Sequence, residues 1–311
     1  MHGKGIFMLP RNISIALAST MSRPGQVAEN LAEISAYAVR AAEDGADILL
    51  TPELSCCGYG PYPEVIVTAE IAGKGPIYNE LADTATTTNV VICAGFVEAF
   101  EAKRHLAHYV VFPGGKFIVQ RKHRVTLAER PLDPGVELIP WEIEKLGPPA
   151  DPANPGQPKE LNFNFFTIND VKFALTICAD GGIDNLHQYL CDNNVDVQLN
   201  PAGAGGRRED RVTTADLTTP EGREKYATWL EMVCFPGKNR ITECIKYGLT
   251  YVGVNQCGYD GINYWHLGHG MIVTPMGEIP ALVHGFPNID RMRPMYTHAV
   301  VDVNERINGK L

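Results

Sequence analysis

Ala46–Asp47–Ile48–Leu49–Leu50–Thr51–Pro52–Glu53 is a short aliphatic run that ends in a proline and a carboxylate. It carries no polar alternation, which is the pattern of a strand covered on both faces. A second run of this kind, Val90–Val97 (VVICAGFV), lies beyond a helical pattern at Ile77–Thr86. Upstream, Ile13–Ser19 reads as a strand and Pro24 as the opening of a first helical turn. Val27, Leu31, Ile34, Ala38 and Ala41 then recur at helical spacing up to a stop at Gly45. The first hundred residues therefore alternate buried strands with helices.

Further along, the connections change. Leu106–Phe112 and Phe117–Gln120 flank Pro113–Gly114–Gly115 as a hairpin, and Phe163–Ile168 and Val171–Ile177 flank Asn169–Asp170 as another. A short helix is expected at Asp184–Asn193, a strand at Asp196–Asn200, and a long loop from Gly203 to Lys225. Helical candidates follow at Ala227–Val233 and Asn239–Tyr247, and strands at Leu249–Asn255, Met271–Thr274 and His298–Val303. The stretch between Lys145 and Glu160 is proline-rich and is expected to be a surface loop within a single domain spanning residues 1–311. This mixture of helix-separated and hairpin connections points to an α/β fold of two sheets between helix layers.

Composition narrows the partners. With 45% hydrophobic and 20% charged residues in 311, the chain can bury a large core without disulfides. A formal charge of -9 argues against general affinity for nucleic acid or anionic membranes and suits a small, neutral or weakly charged substrate. Met1–Asn12 lacks a signal-peptide core, and no apolar run reaches bilayer length, so a cytoplasmic protein is expected. The 8 cysteines form no C-x-x-C pair, which suits reduced thiols.

Glu53, Lys122 and Cys178 each stand at the end of an expected strand, where active sites of layered α/β proteins gather. Cys178 precedes the turn Ala179–Gly182 and the Asp184 helix, and a thiol near a helix start loses its proton more readily. Taken singly, each has a plain structural alternative. Cys178 fits a core thiol, Glu53 a rim salt bridge, and Lys122, within Arg121–Arg124, a solvated basic turn. His105-x-x-His108 and His266-x-x-His269 lack the accompanying ligands of a metal site, and Gly203–Gly206 lacks the Lys-Ser/Thr of a phosphate loop. No G-x-S-x-G nucleophile turn is present.

The wording around the three residues changes the balance. Pro52–Glu53–Leu54–Ser55–Cys56–Cys57–Gly58–Tyr59 resembles the glutamate block of the nitrilase superfamily of carbon–nitrogen hydrolases, Arg121–Lys122 its lysine block, and Ile177–Cys178–Ala179–Asp180 its nucleophile block. They stand in the family's order. The resemblance implies a four-layer α-β-β-α sandwich, a Glu53–Lys122–Cys178 triad, no metal or organic cofactor, and a homodimer or higher homo-oligomer. It also implies a second glutamate after the lysine, for which Glu129 is the first candidate and Glu137 the second. Tyr59, Ala179, Asn200 and Pro201 are the expected substrate contacts, Ala179 through its backbone N–H.

Asp180–Gly181 looks like the aliphatic amidase and formamidase branches, whereas Gly182–Ile183–Asp184–Asn185 departs from the family's usual Arg and Pro-Glu. The implied reaction is hydrolysis of a small carboxamide through a cysteine thioester. Nitrile or N-carbamoyl hydrolysis, acyl transfer to an amine, and a binding protein with a degenerate site are the alternatives.

Overall fold

Strand formation at Ala46–Thr51 follows from its composition: with aliphatic side chains on both faces, it is stable only inside a sheet covered on two sides. The computed structural model describes residues 11–101, 103–124, 161–207, 212–233, 238–262, 264–284 and 293–304. The first elements are β1 (Asn12–Ser19), α1 (Val27–Glu43), β2 (Ile48–Leu50), α2 (Pro63–Ile66), α3 (Pro76–Thr88) and β3 (Val91–Phe100). After β4 (Lys103–Val111) and β5 (Phe117–Arg121) come β6 (Phe165–Ile168), β7 (Val171–Leu175), α4 (Leu186–Asp192), β8 (Val197–Ala202) and β9 (Gly206–Arg207). The remainder comprises α5 (Pro220–Val233), α6 (Lys238–Tyr247), β10 (Thr250–Asn255), β11 (Cys257–Tyr259), β12 (Tyr264–Leu267), β13 (His269–Val273), β14 (Ala281–His284) and β15 (Met295–Asp302).

Two 6-stranded sheets result, ordered β15-β1-β2-β3-β4-β5 and β14-β13-β10-β8-β7-β6, with a small third sheet β11-β12-β9. At the centre of each large sheet three strands run parallel, β1 with β2 and β3, and β7 with β8 and β10. Antiparallel strands flank them.

Alternate residues along the strands separate the layers. Ile13, Ile15, Leu17, Ile48, Leu50, Val91 and Cys93 meet Phe173, Leu175, Val197, Leu199, Val252 and Val254 of the other sheet in one apolar cluster. The intervening Ala16, Ala18, Leu49, Ile92, Ala94 and Phe96 face Leu31, Ile34 and Ala38 of α1 and Ile77, Leu81 and Ala85 of α3. On the far side, Ala174, Tyr251, Met271 and Val273 pack on Leu186 and Leu190 of α4 and Cys244 of α6. The architecture is the expected α-β-β-α sandwich, with its cores between the layers.

Local differences from the sequence reading have identifiable causes. Helix α1 starts at Val27, and Pro24–Gly25 belongs to a turn in which Gly25 N–H donates to the Cys57 carbonyl at 2.8 Å. Pro24 also packs on Gly58, where a Cβ would lie 2.4 Å from it. That contact draws Pro24 towards the loop after β2 rather than into the helix. The helix stops as expected: Gly45 takes φ +72°, and Ala46 N–H closes on the Ala41 carbonyl at 2.8 Å. Strands β4 and β3 form a hairpin that the sequence did not signal, whereas Asn169 and Asp170, with φ of 49° and 62°, make the expected tight turn between β6 and β7. Within the Gly203–Lys225 stretch, expected to be a loop, the described residues include β9, a short turn at Asp216–Thr218 and the first residues of α5. The proline-rich stretch from Lys145 to Glu160 lies outside the described residues.

Candidate active site

Glu53 occupies the turn that leaves β2, and three contacts with β3 fix that turn. Thr51 N–H donates to the Cys93 carbonyl at 3.0 Å, Cys56 N–H to the Gly95 carbonyl at 2.9 Å, and Gly95 N–H to Ser55 Oγ at 3.0 Å. Gly95 is required there because a Cβ would lie 2.1 Å from the Leu54 nitrogen. Leu54 itself sits at φ +52°, a left-handed conformation held by these neighbours.

Lys122 follows β5. Its N–H extends the ladder to the Leu106 carbonyl at 2.8 Å. The preceding Arg121 is occupied elsewhere, gripping Glu98 through Nε at 2.6 Å and Nη2 at 3.1 Å, with its guanidinium over the Phe100 ring. That division leaves Lys122 to point inwards. Its Nζ donates to Glu53 Oε1 at 2.6 Å, and both side chains are almost fully excluded from solvent, at 0% and 1%. Glu53 is thus not a rim residue, nor Lys122 a solvated one. The other carboxylate oxygen, Oε2, accepts the Gly203 N–H at 3.0 Å.

Cys178 starts a tight turn, Cys178–Gly182, and takes φ +50°. This is an unfavourable conformation for a residue with a Cβ and is kept only where the surroundings enforce it. Helix α4 begins later than expected, at Leu186, so the thiol stands at the head of a single turn rather than at a helix terminus.

Two buried side chains enforce the geometry. Asn200, on β8, donates Nδ2 to the Thr176 carbonyl at 2.6 Å and to the Cys178 carbonyl at 3.2 Å, and accepts from Tyr251 OH at 3.2 Å. Asp180 accepts the Ile177 N–H on Oδ2 at 3.1 Å, and on Oδ1 the N–H groups of His123 at 3.1 Å and Arg124 at 2.8 Å. It therefore ties the cysteine turn to the segment after Lys122. Burial pushes the Asp180 carboxyl up to about 7, against the pull of Lys122 and the three N–H donors.

Cys178 also differs from the buried thiols; among the described cysteines only Cys191, on α4, shares its partial access. Cys56, Cys57, Cys93, Cys244 and Cys257 are buried, and burial raises Cys57 to about 11 and Cys56, Cys93 and Cys257 above their ordinary value. Cys178 is only half-buried, at the rim of the core between the sheets. A thiol with partial access, on a strained turn that Asp180 ties to the segment after Lys122, is suited to nucleophilic chemistry.

The remaining candidates fall into groups. Tyr59 is buried against Gly203, where a Cβ would lie 2.2 Å from its ring, so the tyrosine packs behind the N–H that holds Glu53. Asn200 spends its amide on the cysteine turn, and Pro201 is buried within β8. Ala179, part-exposed, follows Cys178 in the turn. Glu129 and Glu137 lie outside the described residues. Sequence reasoning missed Gly203, Gly95 and Asp180 as parts of the site. The glycines matter for what they lack, and a glycine run reads only as flexibility. Among the described residues no group of three or more His, Cys, Asp or Glu is placed to hold a metal ion. His105, His108, His266 and His269 are all buried.

The family model described as carbon-nitrogen hydrolase matches residues 14–287. The chain belongs to the carbon–nitrogen hydrolase family. It is accordingly an enzyme, and its fold is shared with solved structures. An amidase from Nesterenkonia sp. superposes with a TM-score of 0.67 at 17% identity, over 97% of this chain and 96% of that one. A variant of the Nesterenkonia sp. AN1 amidase, solved with butyramide, superposes at 0.66 with 16% identity over 96% and 94% of the two chains. A carbon–nitrogen hydrolase from Helicobacter pylori G27 does so at 0.66 with 15% identity, over 94% and 90%. The glutamine-dependent NAD(+) synthetase of Synechocystis sp. is 50% identical over 48 residues, which is 15% of this chain and 9% of that protein's length. No helix among the described residues is long and apolar enough to cross a membrane.

Proposed function

We propose that this carbon–nitrogen hydrolase is an amidase that cleaves a small carboxamide to a carboxylic acid and ammonia through a thioester on Cys178. The observation that carries the reading is the Glu53 carboxylate shared between Lys122 Nζ and Gly203 N–H, together with a half-buried cysteine on a strained turn that Asp180 ties to the segment after Lys122. Glu53 takes the thiol proton of Cys178, and the thiolate attacks the amide carbon. Negative charge then develops on the amide oxygen. Lys122 and the backbone N–H of Ala179 stabilise it. Collapse of the tetrahedral species, with the proton returned from Glu53, expels ammonia and leaves the thioester. Glu53 next takes a proton from water, the resulting hydroxide attacks the thioester carbon, and Cys178 leaves as the carboxylic acid departs.

Lys122 is suited to this role because it is paired with Glu53 in a place closed to water, where a fixed cation acts most strongly on a developing oxyanion. The fold neighbours support an amide substrate through the butyramide complex, and the short match to a glutamine-dependent enzyme adds glutamine to the amides worth testing. The test is ammonia release from butyramide, acrylamide and glutamine, with aliphatic nitriles and N-carbamoyl amino acids alongside. Amide turnover that Cys178→Ala abolishes is expected. Turnover of nitriles or N-carbamoyl compounds without any amide, or acyl transfer to an added amine in preference to water, would overturn the reading.

A further inference from the structure

The run Gly203–Ala204–Gly205–Gly206 follows β8, and one of its backbone groups reaches Glu53: Gly203 N–H donates to Oε2 at 3.0 Å. A free glycine run would hold that N–H poorly, since glycine gives up more backbone freedom on ordering than any other residue. This run is fixed along its length. The Tyr59 ring lies 2.2 Å from where a Gly203 Cβ would be. Gly206 pairs with Trp265 of β12. A Cβ on Gly205 would lie 2.6 Å from the Trp265 carbonyl oxygen and 2.5 Å from His266 Nδ1, so a glycine there lets the chain lie close to β12.

The strongest hold is on the carbonyl between the first two glycines. Ala204 O accepts from Asn255 Nδ2 at 2.8 Å and stands 2.9 Å from His266 Nδ1. A carbonyl only accepts, so Nδ1 carries the proton, and both lone pairs of the oxygen are used. Burial lowers the pKa of His266, in keeping with a neutral ring. Each donor is itself held. Asn255, the last residue of β10, accepts the Gln256 N–H on Oδ1 at 2.9 Å, which turns Nδ2 towards Ala204, and its own carbonyl accepts from Ser19 Oγ at 2.6 Å. His266 is 1% exposed, pairs with Gly258 of β11, and meets the Tyr59 ring at right angles with centroids 5.9 Å apart. Two donors from separate strands thus converge on one oxygen, in the residue after the one that holds Glu53.

We propose that Asn255 and His266 are positioning residues for Glu53: by fixing the Ala204 carbonyl they keep the Gly203 N–H on Oε2 while Glu53 takes and returns protons. The inference rests on Glu53 being the proton acceptor of the reading above. An N–H on a carboxylate favours its ionised form. With the clamp released, Glu53 is protonated at a higher pH, and the acid limb of kcat/KM moves up. The charged groups around this arrangement are Lys122, 2.6 Å from Glu53 Oε1, Asp180, which interacts electrostatically with Lys122, and Asp260, which does so with His266. All three are kept in the test variants.

The test measures kcat/KM for ammonia release against pH, on the best amide of the panel above, and hydrogen–deuterium exchange of the Gly203 amide without substrate. Asn255→Leu and His266→Phe each remove a donor without adding charge. The double variant is expected to exchange the Gly203 amide about tenfold faster and to raise the acid limb by about one pH unit, the effect of one hydrogen bond to a charged group. Each single variant gives a smaller shift, and His266→Gln, whose amide restores a donor, gives back part of it. A merely structural pair would lower kcat/KM equally at every pH. Glu70→Ala, which removes the acceptor of the Ile77 and Tyr78 N–H groups at the start of α3, is the control and should leave the limb in place. Faster exchange with an unmoved limb, or unchanged exchange in the double variant, overturns this inference alone. No turnover of any amide, or full turnover by Glu53→Gln, overturns the reading of Glu53 and this inference with it.

Discussion

Asp180 receives three backbone N–H groups from two segments far apart in sequence, and no water is needed to satisfy it. Asp180→Asn must turn an amide NH2 towards at least one of those donors. We expect kcat to fall about ten- to a hundredfold and unfolding free energy by about 1–3 kcal/mol, the cost of an unsatisfied buried group. Steady-state kinetics and urea unfolding of the same preparation check this. An unchanged kcat would show that the cysteine turn holds itself. Glu53→Gln keeps the size of the side chain but removes the proton acceptor, so turnover should drop about a hundred- to ten-thousandfold. It also leaves Lys122 without its counter-ion, so a stability loss of about 3–5 kcal/mol is expected by denaturant titration. At this scale the three proposed catalytic residues could be picked out because three short blocks stand in one order. Asp180 was visible only as a letter in a motif, since its role depends on His123 and Arg124, which topology brings to it.

Helix α3 begins at Pro76 with no capping side chain next to it in sequence. Its cap comes from a distance: Glu70 Oε2 accepts the Ile77 N–H and Oε1 the Tyr78 N–H, each at 2.9 Å, and Tyr109 OH adds a third bond at 3.1 Å. Glu70→Ala should cost about 1–2 kcal/mol in chemical unfolding, as expected for a lost cap, and a loss near zero would contradict the assignment. The helical spacing of α1 and the unbroken aliphatic runs of β2 and β3 could be read directly, because burial on defined faces writes a period into the sequence. The β3–β4 hairpin and the strands of the small sheet could not. Their pairing is fixed by neighbours in space, and β9 and β11 are too short to show a period.

Across the whole molecule, burial couples stability to pH. His108 is lowered from 6.5 to about 3 and His123 to about 4, and His266 is lowered as well, each first by burial. The unfolded chain therefore binds protons that the native state refuses. Stability from these groups is fully present above about 6.5 and is lost as pH falls towards 4, by up to about 1.4 kcal/mol per pH unit per histidine. Urea unfolding at pH 7, 6 and 5 should show the decline, and His108→Phe should remove about one proton from its slope; a flat profile would contradict it. The sandwich that shelters these groups also sets Glu53, Lys122 and Cys178 at strand ends from both sheets, and the account turns on the chemistry of the cysteine. Intact-mass analysis of the enzyme quenched in acid during turnover of a carboxamide tests that chemistry most directly. An added acyl mass that maps to Cys178 and is absent from Cys178→Ala is predicted. Ammonia release with no adduct under rapid quench, or an adduct on another residue, would contradict it.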